Sequence, residues 1–101
     1  MKALFNLAAD IQQIPAPTFA EKARGNYVKG LFRAEKLDGI SEDETGNIFG
    51  YDRGEGKAAP LIICAHLDTV FPMETDLRLA RDPKRLAGPG IGDNALGIAG
   101  M

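Results

Sequence analysis

Residues 61–65, Leu61-Ile62-Ile63-Cys64-Ala65, form a continuous apolar run that ends on a histidine, His66. A strand that alternates polar and apolar residues can lie on a sheet surface, but one that is apolar throughout needs cover on both faces. Helical patterns flank this run on both sides, so it implies an α/β sheet clad by helices. The other elements read around it. Ala3, Leu4, Leu7, Ala8, Ile11 and Ile14 recur at helical spacing and predict an amphipathic first helix to about Gln13, ended by Pro15 and Pro17. Thr18 and Glu21 have capping-box spacing ahead of a second helix, which carries Ala20, Ala23, Tyr27, Val28, Leu31 and Phe32 on one side and stops at Gly39. Two short strands follow, around Ile40 and over residues 48–51, with Gly46-Asn47 between them. Residues 77–79 and 85–87 flank Asp82-Pro83 as a hairpin or long loop, and a last helix begins after Asp93.

Composition narrows the function classes. A chain of 101 residues, 45% hydrophobic and 26% charged, is one domain at most, with a modest core. A formal charge of −2 leaves no basic footprint for nucleic acid or an anionic membrane. The one loose basic cluster, Arg78, Arg81, Lys84 and Arg85, reads as the solvated face of the hairpin. The single cysteine, Cys64, excludes an internal disulfide and fits a reducing cytoplasm. No apolar run approaches the roughly 20 residues a membrane-spanning helix needs. Asn6 and Asp10 interrupt the opening stretch, which follows a helical period rather than that of a signal peptide.

Chemistry concentrates in two segments, His66-Leu67-Asp68-Thr69-Val70 and Gly88-Pro89-Gly90-Ile91-Gly92-Asp93-Asn94. A histidine just past a buried strand points into the crevice where α/β folds bind ligands. Asp68, two residues on, projects to the same side in extended backbone and could orient the imidazole of a metal ligand. A structural histidine beside a surface acid is the plainer reading. Asp93 follows a low-bulk turn of three glycines and a proline, which suits either a carboxylate ligand or a cap on the next helix. Cys64 could join a metal set, or pack as a small buried hydrophobe. Gly90-x-Gly92-x-x-Ala95 also matches a dinucleotide fingerprint, without the strand or the downstream acid that would support it. A serine-type triad lacks a second histidine to draw on.

Together the two segments resemble the N-terminal motifs of a zinc-dependent exopeptidase family that includes acetylornithine deacetylase, succinyl-diaminopimelate desuccinylase, glutamate carboxypeptidase and tripeptidase-type enzymes. The first helix, Pro15-Ala16-Pro17, the capped helix and Gly46-Asn47-Ile48 are similar to that family's opening. The resemblance implies that residues 1–101 are the N-terminal portion of a three-layer α/β/α catalytic domain with a mixed, mostly parallel sheet. It implies that His66 binds one zinc, that Asp93 bridges two and is followed by a frequently cis peptide bond, and that Asp68 is the catalytic group supporting His66. The substrate would be a small peptide or N-acyl amino acid, hydrolysed near a terminus by a metal-activated water. Cobalt or manganese fits similar ligands. The family's glutamate pair, further acidic ligand, second histidine and inserted dimerisation domain have no counterpart here. The expectation is therefore a cytoplasmic fragment, inactive alone and prone to form homo-oligomers through an uncovered sheet edge. The alternative is a non-catalytic partner-binding module with at most a weak metal site.

Overall fold

The spaced apolar residues at the N-terminus form helix α1 (Lys2–Gln12) in the computed structural model, which describes all 101 residues. It buries Ala8, Ile11 and Gln12, a stripe at the i, i+3, i+4 spacing of one helix face. Helix α2 (Lys22–Ala34) buries Arg24, Gly25 and Val28. Both helices lie where periodicity places them, but the ends of α2 differ from expectation. No reciprocal capping box forms. The helix starts at Lys22, with Glu21 as its N-cap and no side-chain cap bond, so Thr18 is too far upstream to serve. Glu21 accepts instead from the Phe19 amide at 2.7 Å. At the other end α2 stops well before Gly39. Lys36 takes the left-handed conformation (φ 59°), Lys36 N–H donates to Arg33 O, and Leu37 N–H donates to Phe32 O. This is a Schellman closure with lysine in the position glycine usually fills.

Strand β1 (Asp38–Glu42) pairs antiparallel with β2 (Ile48–Tyr51). In the turn between them, Asp43 Oδ1 accepts from the amides of Thr45, Gly46 and Asn47. Those bonds, led by the one from the Asn47 side chain to Oδ2, hold the Asp43 carboxyl below its ordinary range. The hairpin lies close to α2 because Gly50 has no side chain. A Cβ there would sit 2.9 Å from both Phe32 Cδ2 and Leu37 Cδ1. The second expected hairpin is present as β3 (Ala80–Asp82) and β4 (Arg85–Ala87), its first strand displaced toward the turn. Helix α3 (Leu96–Gly100) follows a kinked turn at Ile91–Ala95.

The result is a mixed helix and strand fold with two separate, two-stranded antiparallel sheets. Its core is Ile11, Val28, Ala95 and Ile98, drawn from α1, α2 and the entry to α3, with Leu7, Tyr27, Leu31, Ala65 and Leu67 packed around it. No helix is long and apolar enough to cross a membrane. The apolar run departs most from expectation. Residues 61–65 have no strand partner, and Leu61, Ile62 and Ile63 are 84%, 86% and 64% exposed. An apolar strand is buried only when neighbours cover both its faces, and no other strand of this chain lies beside it. Cys64 is likewise exposed rather than buried. The single parallel contact is a bridge between Pro17 and Thr69.

Arg24 joins these parts. Its side chain is 1% exposed, and no carboxylate lies within ion-pair distance. The guanidinium instead donates from Nε and Nη2 to Ile14 O, at 3.0 and 2.7 Å, and from Nη1 to Leu67 O, at 2.9 Å. Burial lowers its pKa from the ordinary arginine value, with the Asp68 charge acting in the opposite sense. Replacing Arg24 by methionine keeps much of the volume but leaves two inward carbonyls without donors. Arg24→Met is expected to cost about 2–4 kcal/mol in urea denaturation. Arg24→Lys should recover little of this, because a single ammonium cannot reproduce the three-donor fork.

Candidate metal centre

Alternation along the chain sets the orientation of the first motif. Ala65 and Leu67 pack against the core. His66 and Asp68 therefore face the opposite side, as extended backbone requires. Two bonds fix the level of this segment: Leu67 O is held by Arg24, and the Thr69 amide donates to Ala16 O at 2.8 Å.

The second motif arrives from the β3–β4 hairpin through residues 88–92. Gly90 has φ +74°, a conformation that favours glycine, and it turns the chain toward His66. Gln12, fully buried at the end of α1, donates from Nε2 to Leu77 O at 3.1 Å and to Pro89 O at 2.9 Å, tying the approach to the glycine turn onto the helix. Asp93 and Asn94 leave helical geometry, and the peptide bond between them is cis, as the family resemblance implies. Asp93 does not cap the following helix: the N-cap of α3 is Ala95, without a side-chain bond. Its carboxylate meets His66 instead.

His66 Nε2 lies 2.8 Å from Asp93 Oδ1, across 27 positions of sequence. His66 Nδ1 lies 2.9 Å from Asp68 O and 3.2 Å from Asp68 Oδ1. Asp68 Oδ2 in turn accepts from the Thr18 hydroxyl at 2.7 Å. Both ring nitrogens thus face only acceptors. A neutral imidazole carries one N–H, so one of the two contacts needs a second proton or another cation between the partners. The hydrogen bond to Asp93 is the main cause of a His66 pKa raised above its ordinary value; desolvation opposes it, and Asp68 adds to it. Asp68 is lowered, chiefly by the Thr18 hydroxyl and further by His66.

The donor chemistry suits a metal of the zinc type. With Nδ1–H donated to the Asp68 backbone O, at 2.9 Å, Nε2 would present its lone pair beside the Asp93 carboxylate, an imidazole nitrogen and an oxygen that could serve as ligands, with the Asp68 carboxylate 3.2 Å behind the ring. The set is small: no group of three or more His, Cys, Asp or Glu side chains gathers at one point. His66 contacts Asp68 at one ring nitrogen and Asp93 at the other, and Cys64 is exposed and free.

Sequence reasoning missed Arg24, Gln12 and the role of Thr18. The first two left a signal. Arg24 falls on the apolar stripe that includes Val28, and Gln12 falls on the stripe of Ala8 and Ile11, where a polar residue must have buried partners. Thr18 left none, because its partner lies 50 positions away. The chain matches no protein-family model.

Gln12→Leu is expected to remove the bond to Pro89 O at the turn and one of the two bonds that Leu77 O accepts, lowering stability by about 1–3 kcal/mol. Amide hydrogen exchange in residues 88–94 should quicken in the variant, while exchange in the β1–β2 hairpin stays as in the wild type.

Proposed function

We propose that this chain is the N-terminal part of the catalytic domain of a di-zinc metallohydrolase that cleaves a peptide or acyl-amide bond near a substrate terminus. One observation carries the reading: two motifs far apart in sequence bring an imidazole Nε2 and a carboxylate Oδ1 to 2.8 Å, with a second carboxylate behind the imidazole. His66 and Asp93 would hold the metal, and Asp68 keeps the ring aimed. The apolar run at 61–65 supports a place inside a larger parallel sheet of a three-layer α/β/α domain, since its exposed side chains suit cover on both faces. When bound, zinc supplies Lewis-acid polarisation of the scissile carbonyl and a water acidified toward neutrality. The residues of this chain do the rest of their work by position. Asp68 accepts the Nδ1–H hydrogen bond and so favours that tautomer, while residues 88–92 deliver Asp93 with little side-chain bulk. A cytoplasmic setting and small peptide or N-acyl amino acid substrates belong to the same reading.

The exposed apolar side chains of Leu61, Ile62 and Ile63 also support a second reading, a partner-binding module that keeps at most a weak metal site. Zinc or cobalt titration by calorimetry, run beside a peptidase assay, separates the two. The metallohydrolase reading predicts a single weak site that His66→Ala and Asp93→Ala each abolish. Turnover lost in His66→Ala would count against the module, whereas binding without turnover fits both the module and a fragment inactive alone. Binding unaffected by either substitution would refute the metallohydrolase reading.

A further inference from the structure

Thr18 lies in the connection between α1 and α2, which is pinned on both sides. Upstream, Ile14 O is held by Arg24 and Ala16 O by the Thr69 amide; downstream, the Ala20 amide donates to Pro17 O at 2.8 Å. The bridge between Pro17 and Thr69 lays this segment alongside the first motif. Thr18 is exposed, so little apolar burial fixes its place. Its hydroxyl nonetheless donates to Asp68 Oδ2 at 2.7 Å, leaving Oδ1 3.2 Å from His66 Nδ1, where it joins the Asp68 backbone O at 2.9 Å. A carboxylate free to rotate would offer the ring either oxygen or neither. One held at Oδ2 presents Oδ1 in a constant direction.

We propose that Thr18 is a positioning residue of this centre, holding the Asp68 carboxylate so that His66 keeps its proton on Nδ1 and turns Nε2 toward Asp93. The inference rests on the metal-centre reading above. The chain runs Thr18, Asp68, His66, Asp93, and each link is a contact of 2.7–3.2 Å. It makes the connection between the two helices part of the site, through a hydroxyl two contacts behind the imidazole. Outer partners of a metal-bound histidine commonly change metal affinity by about 10–100-fold, and a group one step further out belongs at the lower end of that range.

The test uses the 101-residue chain, whose single histidine makes its ring spectrum unambiguous. Long-range proton–nitrogen spectra, recorded where the imidazole is neutral, should show the Nδ1–H tautomer dominant in the wild type and in Thr18→Ser. In Thr18→Val the two tautomers should mix. Zinc affinity should fall about tenfold in Thr18→Val and stay near wild type in Thr18→Ser. An unchanged tautomer in a folded Thr18→Val overturns the proposal, whatever zinc does. Tautomer mixing in that variant, in a protein whose wild type binds no zinc, would sink the metal centre while supporting the role of Thr18. If Thr18→Val does not fold, the wild type decides: a slowly exchanging Thr18 hydroxyl proton supports the bond to Asp68, and its absence overturns it.

Discussion

One buried guanidinium determines where the rest of this structure can be. Arg24 satisfies two carbonyls from segments that run side by side, Ile14 at the exit from α1 and Leu67 between His66 and Asp68, and it does so beside the Thr69–Ala16 bond that also joins them. A buried cation is costly unless it is hydrogen-bonded, and each of the three guanidinium nitrogens donates to one of these two carbonyls, so their positions are tied to that of the arginine. The helix that carries Arg24 thereby sets the height of the first motif against the core. Gln12 does the same for the second motif from α1, through Leu77 O and Pro89 O. Two buried polar side chains on two helices thus place the two halves of the candidate site.

This division of labour explains why the small core suffices to position chemistry. Ile11, Val28, Ala95 and Ile98 bring α1, α2 and the entry to α3 together, but apolar contacts are non-directional and leave rotation and sliding open. Directional bonds to backbone carbonyls remove that freedom. They also reach the loops, where His66, Asp93 and Thr18 reside, and apolar packing there is sparse. The metal-centre reading therefore depends less on the residues that would touch the ion than on the polar groups behind them.

Local pattern made much of this legible. The apolar periodicity of α1 and α2, the β1–β2 hairpin around Gly46-Asn47 and the turn at Asp82-Pro83 all depend on neighbours in sequence, and all are present. His66, Asp68 and Asp93 could be singled out because histidine and aspartate beside an apolar run and a glycine turn carry a restricted chemistry, and His66 lies against both carboxylates. What was not legible depends on distant partners. Thr18 has the spacing of a cap but bonds across 50 positions to Asp68. Lys36 closes α2 because the Phe32 and Arg33 carbonyls are within reach, although Gly39 looks the better stop. The run at 61–65 reads as a buried strand because its residues are apolar on both faces, yet burial needs neighbouring strands, and none of this chain's strands provides them.

X-ray absorption of the zinc-loaded chain tests most directly whether His66 and Asp93 form a metal half-site. The account predicts a first shell of nitrogen and oxygen at about 2.0–2.2 Å with the outer scattering of one imidazole, lost in His66→Ala. A sulfur shell at about 2.3 Å, which the exposed Cys64 thiolate would give, or a shell without imidazole, would contradict it.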